Sequence, residues 1–311
     1  MSEPAARPVV YIHTDDRQLF AAEVGAHSLR LRSVHPDAFE VRLLRLEETP
    51  QLLAREGQRY VWNDGVRVWS RGEYQAFMPL RRLVPQLMGF RGRALVLDPD
   101  IFAVGDVFEL LRRDMGGKAI LCRTRHDIYQ NRSRRICASS VMLLDCARLT
   151  HWRWDRDLDD IFNGTMDFGI WIGLLTEPPE TVGALETAWN HFDTLNERTK
   201  LLHNTEKSTQ PWKTGLPVDF DMDLDATAEP QRHGLRARVR RALGIGGARP
   251  APGRVYLPHP DPRQERLFFS LLNSAIENGA ITEQFLRDEI ARRHVRADAF
   301  ALLRAARAGL G

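Results

Sequence analysis

The chain has 311 residues, 43% of them hydrophobic and 27% charged, with a formal net charge of +3. That length buries a sizeable core, as one large domain or as one domain with an appendage, and the composition is that of a soluble globular fold. The small net charge makes no demand for nucleic acid or any other polyanion. The three cysteines, Cys122, Cys137 and Cys146, are odd in number and show no CxxC spacing, which argues against a disulfide framework. The stretch "MSEPAARPVVYIHTDD" lacks the basic-then-apolar pattern of a secretory signal, and no run approaches the roughly 20 apolar residues of a membrane span. A cytoplasmic protein is expected.

The first element is "RPVVYIHT", a β-branched and aromatic run that reads as a buried strand. It stops at Thr14-Asp15-Asp16, which are fit to cap a helix carrying Phe20, Val24 and Leu31 on one side. "FEVRLLRL" alternates Phe39, Val41 and Leu43 with Glu40 and Arg42 and reads as a second strand. "YQAFMPLRRLVPQLMG" has a helical pattern that Pro79 and Pro85 should break. "RALVLD" is a third strand, followed by "DVFE", whose Asp106 and Glu109 form a capping-box variant. "KAILC" and "SSVMLLDC" read as further strands, joined by the arginine-rich residues 123–139, which read as a solvated loop. Alternation of strands and helices predicts an α/β layered domain.

Order decays after Phe220. Residues 222–255 are rich in Pro, Gly, Ala and Arg and read as a linker or loop, with a short basic amphipathic stretch over 233–244 suited to weak contact with an anionic membrane. Residues 256–311 read as a helical C-terminal segment, with Gly279 placed to end its first helix. The expected organisation is thus one domain over residues 1–221, a linker, and a helical appendage.

The motif that carries chemistry is "LVLDPDIFAVGD", residues 95–106. In an extended chain residues i and i+2 point the same way, so Asp98 and Asp100 aim at one point while Pro99 aims elsewhere. The carboxyl ends of strands in an open α/β sheet are where ligands bind. Two carboxylates gathered there suit a hard divalent cation, Mg²⁺ or Mn²⁺. Taken alone, Asp-Pro-Asp reads better as a surface turn; its position after "ALVL" shifts the reading toward a site. A second feature is "KLLHNTEKSTQPWKTG", residues 200–215, in which Leu201 and Leu202 suggest a strand with His203 at its end. A neutral imidazole there completes a carboxylate metal site, and lysines nearby meet a phosphate.

Together, "ALVLDPDIFAVGDVFEL" and "LLHNTEKSTQPW" resemble the GT-A glycosyltransferases of the glycogenin-like class, family eight. "FMPLRRLVPQLMGFRGRALVLDPD", "SSVMLLDC" and "TAWNHFD" agree in order and position, and the resemblance covers roughly residues 8 to 220. The late motif departs from the family's His-x-x-Gly-x-x-Lys-Pro-Trp: Glu206 stands at the glycine's place, the spacing is one residue longer, and Gln210 precedes Pro211-Trp212.

The resemblance implies a Rossmann-like GT-A domain with a mixed central sheet that binds a nucleotide-sugar, UDP-linked, and transfers the sugar with retention of configuration. It implies Asp98, Asp100 and His203 as ligands of Mn²⁺ or Mg²⁺, and Lys207 or Lys213 as the diphosphate's second positive contact. Tyr11, Thr14, Asp15 and Asp16 would hold base and ribose. Arg81, Ser140, Asn190, Gln210 and Trp212 would line the donor site, and Asp167 would face the sugar as the catalytic carboxylate. The acceptor is left open among a glycan, a lipid-linked sugar and a protein. Two other readings stand beside this one: a non-catalytic nucleotide-sugar-binding protein of the same fold, and a nucleotidyltransferase, against which the absence of a Gly-rich basic N-terminal loop argues.

Overall fold

The computed structural model describes residues 7–129, 132–220 and 254–307. The basic stretch 233–244 and nearly all of the expected linker lie outside them. The centre of the molecule is a mixed sheet of six strands in the order β2-β1-β5-β8-β7-β9. Strands β1 (Val9–Thr14), β2 (Glu40–Arg45) and β5 (Arg93–Leu97) run parallel; β8 (Arg132–Asp145) runs antiparallel to both β5 and β7 (Ile120–Tyr129), and β9 (Val182–Ala184) closes the edge beside β7. Alternation sorts the side chains: Val10, Ile12, Leu95 and Leu97 enter one core with Ala22, Ala26 and Leu29 of helix α1 (Leu19–Arg32), while Val9, Tyr11, Ala94 and Val96 enter another with Trp152 and Leu149.

Several expectations are refined. Helix α1 begins at Leu19 with no side-chain cap; Asp15 instead accepts the backbone N–H of Gln18 at 3.0 Å, and Leu31 is 42% exposed. Between β2 and β5 lie the single turn α2 (Pro50–Leu53) and the hairpin of β3 (Arg59–Trp62) and β4 (Gly65–Val68). Asn63 and Asp64, at φ 50° and 64°, form the two-residue turn whose twist matches such a ribbon. Pro79 and Pro85 do break the predicted helix, into a 3-10 helix over Met78–Leu83 and the short α3 (Val84–Leu87). The arginine-rich residues 123–139 are not simply a loop: β7 and β8 pair out to Tyr129↔Arg132 past a register shift after Cys122. Asp106 caps α4 (Val107–Leu111) by accepting from Phe108 N at 2.9 Å, whereas Glu109 turns to Lys200.

Two structural units flank the sheet. The hairpin packs with α5 (Trp154–Phe162) and α6 (Phe168–Ile172) around Trp69, Trp154 and Trp171. On the other side α7 (Pro262–Glu277), α8 (Glu283–Ala291) and α9 (Ala299–Arg307) share a core with Phe20, Ala21 and Val24 of α1 and with Phe102 and Trp212. Gly279, at φ 71°, follows α7 as the sequence predicts. A small sheet of β10 (His191–Phe192), β11 (Leu201–His203) and β6 (Ile101–Ala103) ties the late segment to the chain just beyond Asp100. No helix among the described residues is long and apolar enough to cross a membrane.

Candidate functional site

Strand β5 ends at Leu97, and the chain turns through Asp98-Pro99-Asp100 into β6. Because β11 pairs antiparallel with β6, His203 sits opposite Ile101, one residue from Asp100. The three side chains are buried, and one ligand atom from each lies within 4.8 Å of the others. No other group of three or more His, Cys, Asp or Glu side chains able to hold a metal occurs among the described residues.

The two carboxylates have different surroundings. Both oxygens of Asp98 accept from Arg81 Nη2 at 2.7 Å, and His13 Nε2 lies 2.9 Å from Oδ1. Burial opposes the charge of Asp98, but Arg81, then His13 and His203, outweigh it and hold its pKa below the usual carboxylate range. Arg81 also donates to Ser139 Oγ at 2.9 Å and to His13 Nε2 at 3.1 Å. His13 is wholly buried, which lowers its pKa despite Asp98. Asp100 has no such guanidinium. Burial raises its pKa, with His203 opposing and Asp98 adding to the rise.

Asn190 sets the state of His203. Its Oδ1 lies 2.8 Å from His203 Nδ1, and its Nδ2 donates to Ser140 Oγ at 2.9 Å. The amide oxygen can only accept, so the Nδ1 proton is fixed and the neutral ring turns the Nε2 lone pair toward the carboxylates. That nitrogen stands 3.2 Å from Asp100 Oδ1 and 3.9 Å from Asp98 Oδ2. Burial lowers the His203 pKa, but Asp100 and then Asp98 reverse the sign and raise it. Asp100 Oδ1 lacks a hydrogen-bond partner among the described residues. Neighbouring ligands at right angles on an ion with bonds of about 2.1 Å stand about 3 Å apart. The orphaned oxygen and the imidazole nitrogen therefore fit a divalent cation, with Asp98 as the third ligand.

The other sequence-derived residues fall into two sets. Arg81, Ser140 and Asn190 contact the cluster or its ligands, as above. Gln210, fully buried, accepts from Gln18 Nε2 at 3.1 Å and donates to the Tyr74 hydroxyl at 3.2 Å; the Lys207 ammonium lies 5.4 Å from the centre of the Tyr74 ring. The rest have structural partners. Tyr11 enters the core with its hydroxyl 3.5 Å from Met88 Sδ. Thr14 Oγ1 donates to Asp15 O at 3.0 Å. Asp15 is clamped by Arg17 at 2.6 and 2.8 Å, and Asp16 pairs with Arg45 at 2.5 Å. Trp212 stacks on Phe268 at 5.1 Å. Lys213 is fully buried against Asp219, 2.5 Å away, and Tyr256 donates to the same carboxylate at 2.6 Å. Asp167 caps α6, its oxygens accepting from Ile170 N and Asp64 N at 3.1 Å beside the β3–β4 hairpin.

Three contributors escaped the sequence reading: His13, Tyr74 and Arg17. Arg17 reaches from the end of β1 to the carbonyls of Arg71, Gly72, Glu73 and Asp219 while holding Asp15. Residues 215–218 are in turn strapped by 254–256: Gly215 N donates to Tyr256 O, Tyr256 N to Leu216 O and Val218 N to Arg254 O. The C-terminal segment thus braces the late loop that carries Lys207 and Gln210.

No protein-family model matches the chain, and no curated protein sequence matches it. Among solved structures it is similar to a galactosyltransferase, LgtC, in complex with donor and acceptor sugar analogs, at 13% identity and TM-score 0.45, over 66% of this chain and 89% of that one. It is similar to the bifunctional glycosyltransferase WbbM at 14% identity and TM-score 0.46, over 77% of this chain but only 52% of that one. It is similar to the glycosyltransferase GlyE of Streptococcus pneumoniae TIGR4 at 14% identity and TM-score 0.45, over 89% and 64% of the respective chains.

Proposed function

We propose that this protein is a metal-dependent glycosyltransferase of the GT-A type. It moves a sugar from a nucleotide-sugar, UDP-linked by the resemblance, to the hydroxyl of a glycan, lipid-linked or protein acceptor, with retention of configuration. The observation that carries the reading is the buried Asp98–Asp100–His203 cluster, with its orphaned carboxylate oxygen, at the carboxyl end of a central strand. Mn²⁺ or Mg²⁺ held there supplies positive charge against the negative charge that develops on the departing nucleoside diphosphate. Arg81 neutralises Asp98 and fixes its position; Asn190 orients His203; Lys207, on the loop after β11, supplies a second positive contact to the diphosphate. Lys213, whose charge is matched by Asp219, serves to hold the loop. Asp167 is the proposed carboxylate partner of the sugar, a role additional to its cap of α6.

A thermal-shift panel of UDP-, GDP- and CDP-sugars, with and without Mn²⁺, tests the reading. A stabilisation that needs both metal and one nucleotide is expected, followed by release of nucleoside diphosphate on incubation with acceptor extracts. Nucleotide binding without turnover would instead support the non-catalytic reading, which the departure of the late motif favours. Release of pyrophosphate from a nucleoside triphosphate would support a nucleotidyltransferase. Proton NMR of the first product fixes the stereochemistry, and wild-type turnover by Asp167→Asn would remove that residue from the mechanism.

A further inference from the structure

Tyr74 opens the stretch whose pattern reads as a helix broken by prolines, and the fold brings it to the site. Its ring is 7% exposed and packs on Phe220, centroid to centroid 4.6 Å. The backbone around it is held from Arg71 to Glu73 by the Arg17 guanidinium. Its two polar neighbours are donors: Gln210 Nε2 gives a hydrogen bond to the hydroxyl at 3.2 Å, and the Lys207 ammonium lies over the ring. A phenol that accepts one hydrogen bond still has its own proton to donate, and no acceptor for that proton is found among the described residues. Burial first, and then the charges of Asp100, Tyr256, Asp98 and Asp193, raise the Tyr74 pKa well above its ordinary value, so the hydroxyl stays protonated. Two contacts set this stretch beside the proposed metal ligands: Phe77, three residues on, packs on the ring of His13, which lies against Asp98, and Lys207, over the Tyr74 ring, follows His203 by four residues.

A cation does not suit this hydroxyl, because Gln210 already occupies a lone pair and Lys207 adds positive charge. An anionic, oxygen-rich group does. We infer that Tyr74 is a donor-binding residue whose hydroxyl gives a hydrogen bond to a phosphate oxygen of the diphosphate anchored at Asp98, Asp100 and His203. Lys207 contributes charge to the same group from above the ring, and Gln210 aims the hydroxyl. The inference rests on the glycosyltransferase reading for the identity of that diphosphate.

Tyr74→Phe removes the hydroxyl and keeps the ring that packs on Phe220. Titration calorimetry on the full chain compares Mn²⁺ alone, Mn²⁺ with inorganic pyrophosphate, and Mn²⁺ with UDP, GDP or CDP. For the variant, Mn²⁺ affinity is expected to match wild type, while the unfolding temperature without ligand falls modestly because the buried Gln210 Nε2 loses its acceptor. Binding of pyrophosphate and of the preferred nucleoside diphosphate is expected to weaken about ten-fold, the worth of one hydrogen bond to a charged group. Unchanged diphosphate binding by the variant would overturn the inference and leave the glycosyltransferase reading standing. An equal loss of Mn²⁺ affinity would also overturn it, since the hydroxyl would then be acting on the fold of the site. Failure of the wild-type protein to bind any of these diphosphates with Mn²⁺ would overturn both.

Discussion

At the scale of single residues, the two carboxylates of one Asp-Pro-Asp turn are set unequal tasks. Asp98 is a buried anion with a buried cation of its own; Asp100 is a buried anion whose Oδ1 has no hydrogen bond. Removing the charge of Asp100 therefore relieves a desolvation cost, whereas removing that of Asp98 leaves Arg81 uncompensated. Asp100→Asn is expected to unfold in EDTA at a temperature no lower than wild type while losing all stabilisation by Mn²⁺ and all turnover. Asp98→Asn is expected to lower the unfolding temperature in EDTA as well. Asn190→Leu takes away the acceptor that fixes the His203 tautomer and should weaken Mn²⁺ binding about 10–100-fold, read by calorimetry. The pair of aspartates and the histidine were legible because strand geometry puts residues i and i+2 on one side and because apolar runs mark strand ends. Of their supporting groups, Arg81 and Asn190 were named only through the resemblance, and the role of each was not legible. Nothing local to His13, Arg81 or Asn190 says that one faces Asp98 while another orients an imidazole more than ten residues away; those are properties of packing.

At the scale of elements, the turn from β5 to β6 is held from behind by α1. A Cβ added at Gly25 would stand 2.8 Å from the carbonyl oxygen of Ile101, the residue after Asp100. Gly25→Ala is expected to cost about 1–3 kcal/mol in urea unfolding, as overpacking does, and to weaken Mn²⁺ binding because β6 must move. The loop after β11 depends on the Lys213–Asp219 pair. Lys213→Met leaves the partly exposed Asp219 without its cation but still bonded to Tyr256, and should destabilise by about 1–3 kcal/mol, with a smaller added effect when Asp219→Asn is combined with it. Sequence alone left Lys207 and Lys213 equivalent, since burial is a tertiary property; the structure buries Lys213 against Asp219 and leaves Lys207 half-buried. The β3–β4 hairpin was missed although its signal was present: "RYVWNDGVRV" sets β-branched and aromatic residues on either side of Asn63-Asp64. The 3-10 break at Met78–Leu83 was legible, because Pro79 and Pro85 lack the N–H that a continuous helix needs.

At the scale of the whole molecule, the α/β class and the helical C-terminal region were readable from the alternation of periods. Their joining was not. Phe268 of α7 packs on Phe102 and Trp212, and Tyr256 bonds to Asp219 beside Lys213, so residues 254–307 share a core with the strand-end site. The full chain is therefore expected to unfold in one cooperative transition, seen alike by far-ultraviolet circular dichroism and tryptophan fluorescence. A chain ending at residue 253 exposes Phe20, Phe102 and Trp212 together. It should lose that cooperative transition and its response to nucleotide, rather than behave as an independent domain.

The fork of Arg17 has a consequence for the order in which the molecule folds. Its contacts close chain separations of 55 residues to Gly72 and 202 residues to Asp219. Closure entropy grows with the length of the loop, and distant contacts of this kind are made slowly. Strands and helices can thus assemble well before residues 71–73 and Asp219 meet at Arg17. In stopped-flow refolding, recovery of the far-ultraviolet signal is expected to run ahead of the ability to bind nucleotide. Arg17→Lys, which offers a single ammonium in place of a planar fork, should lengthen that lag further than it shifts the early phase.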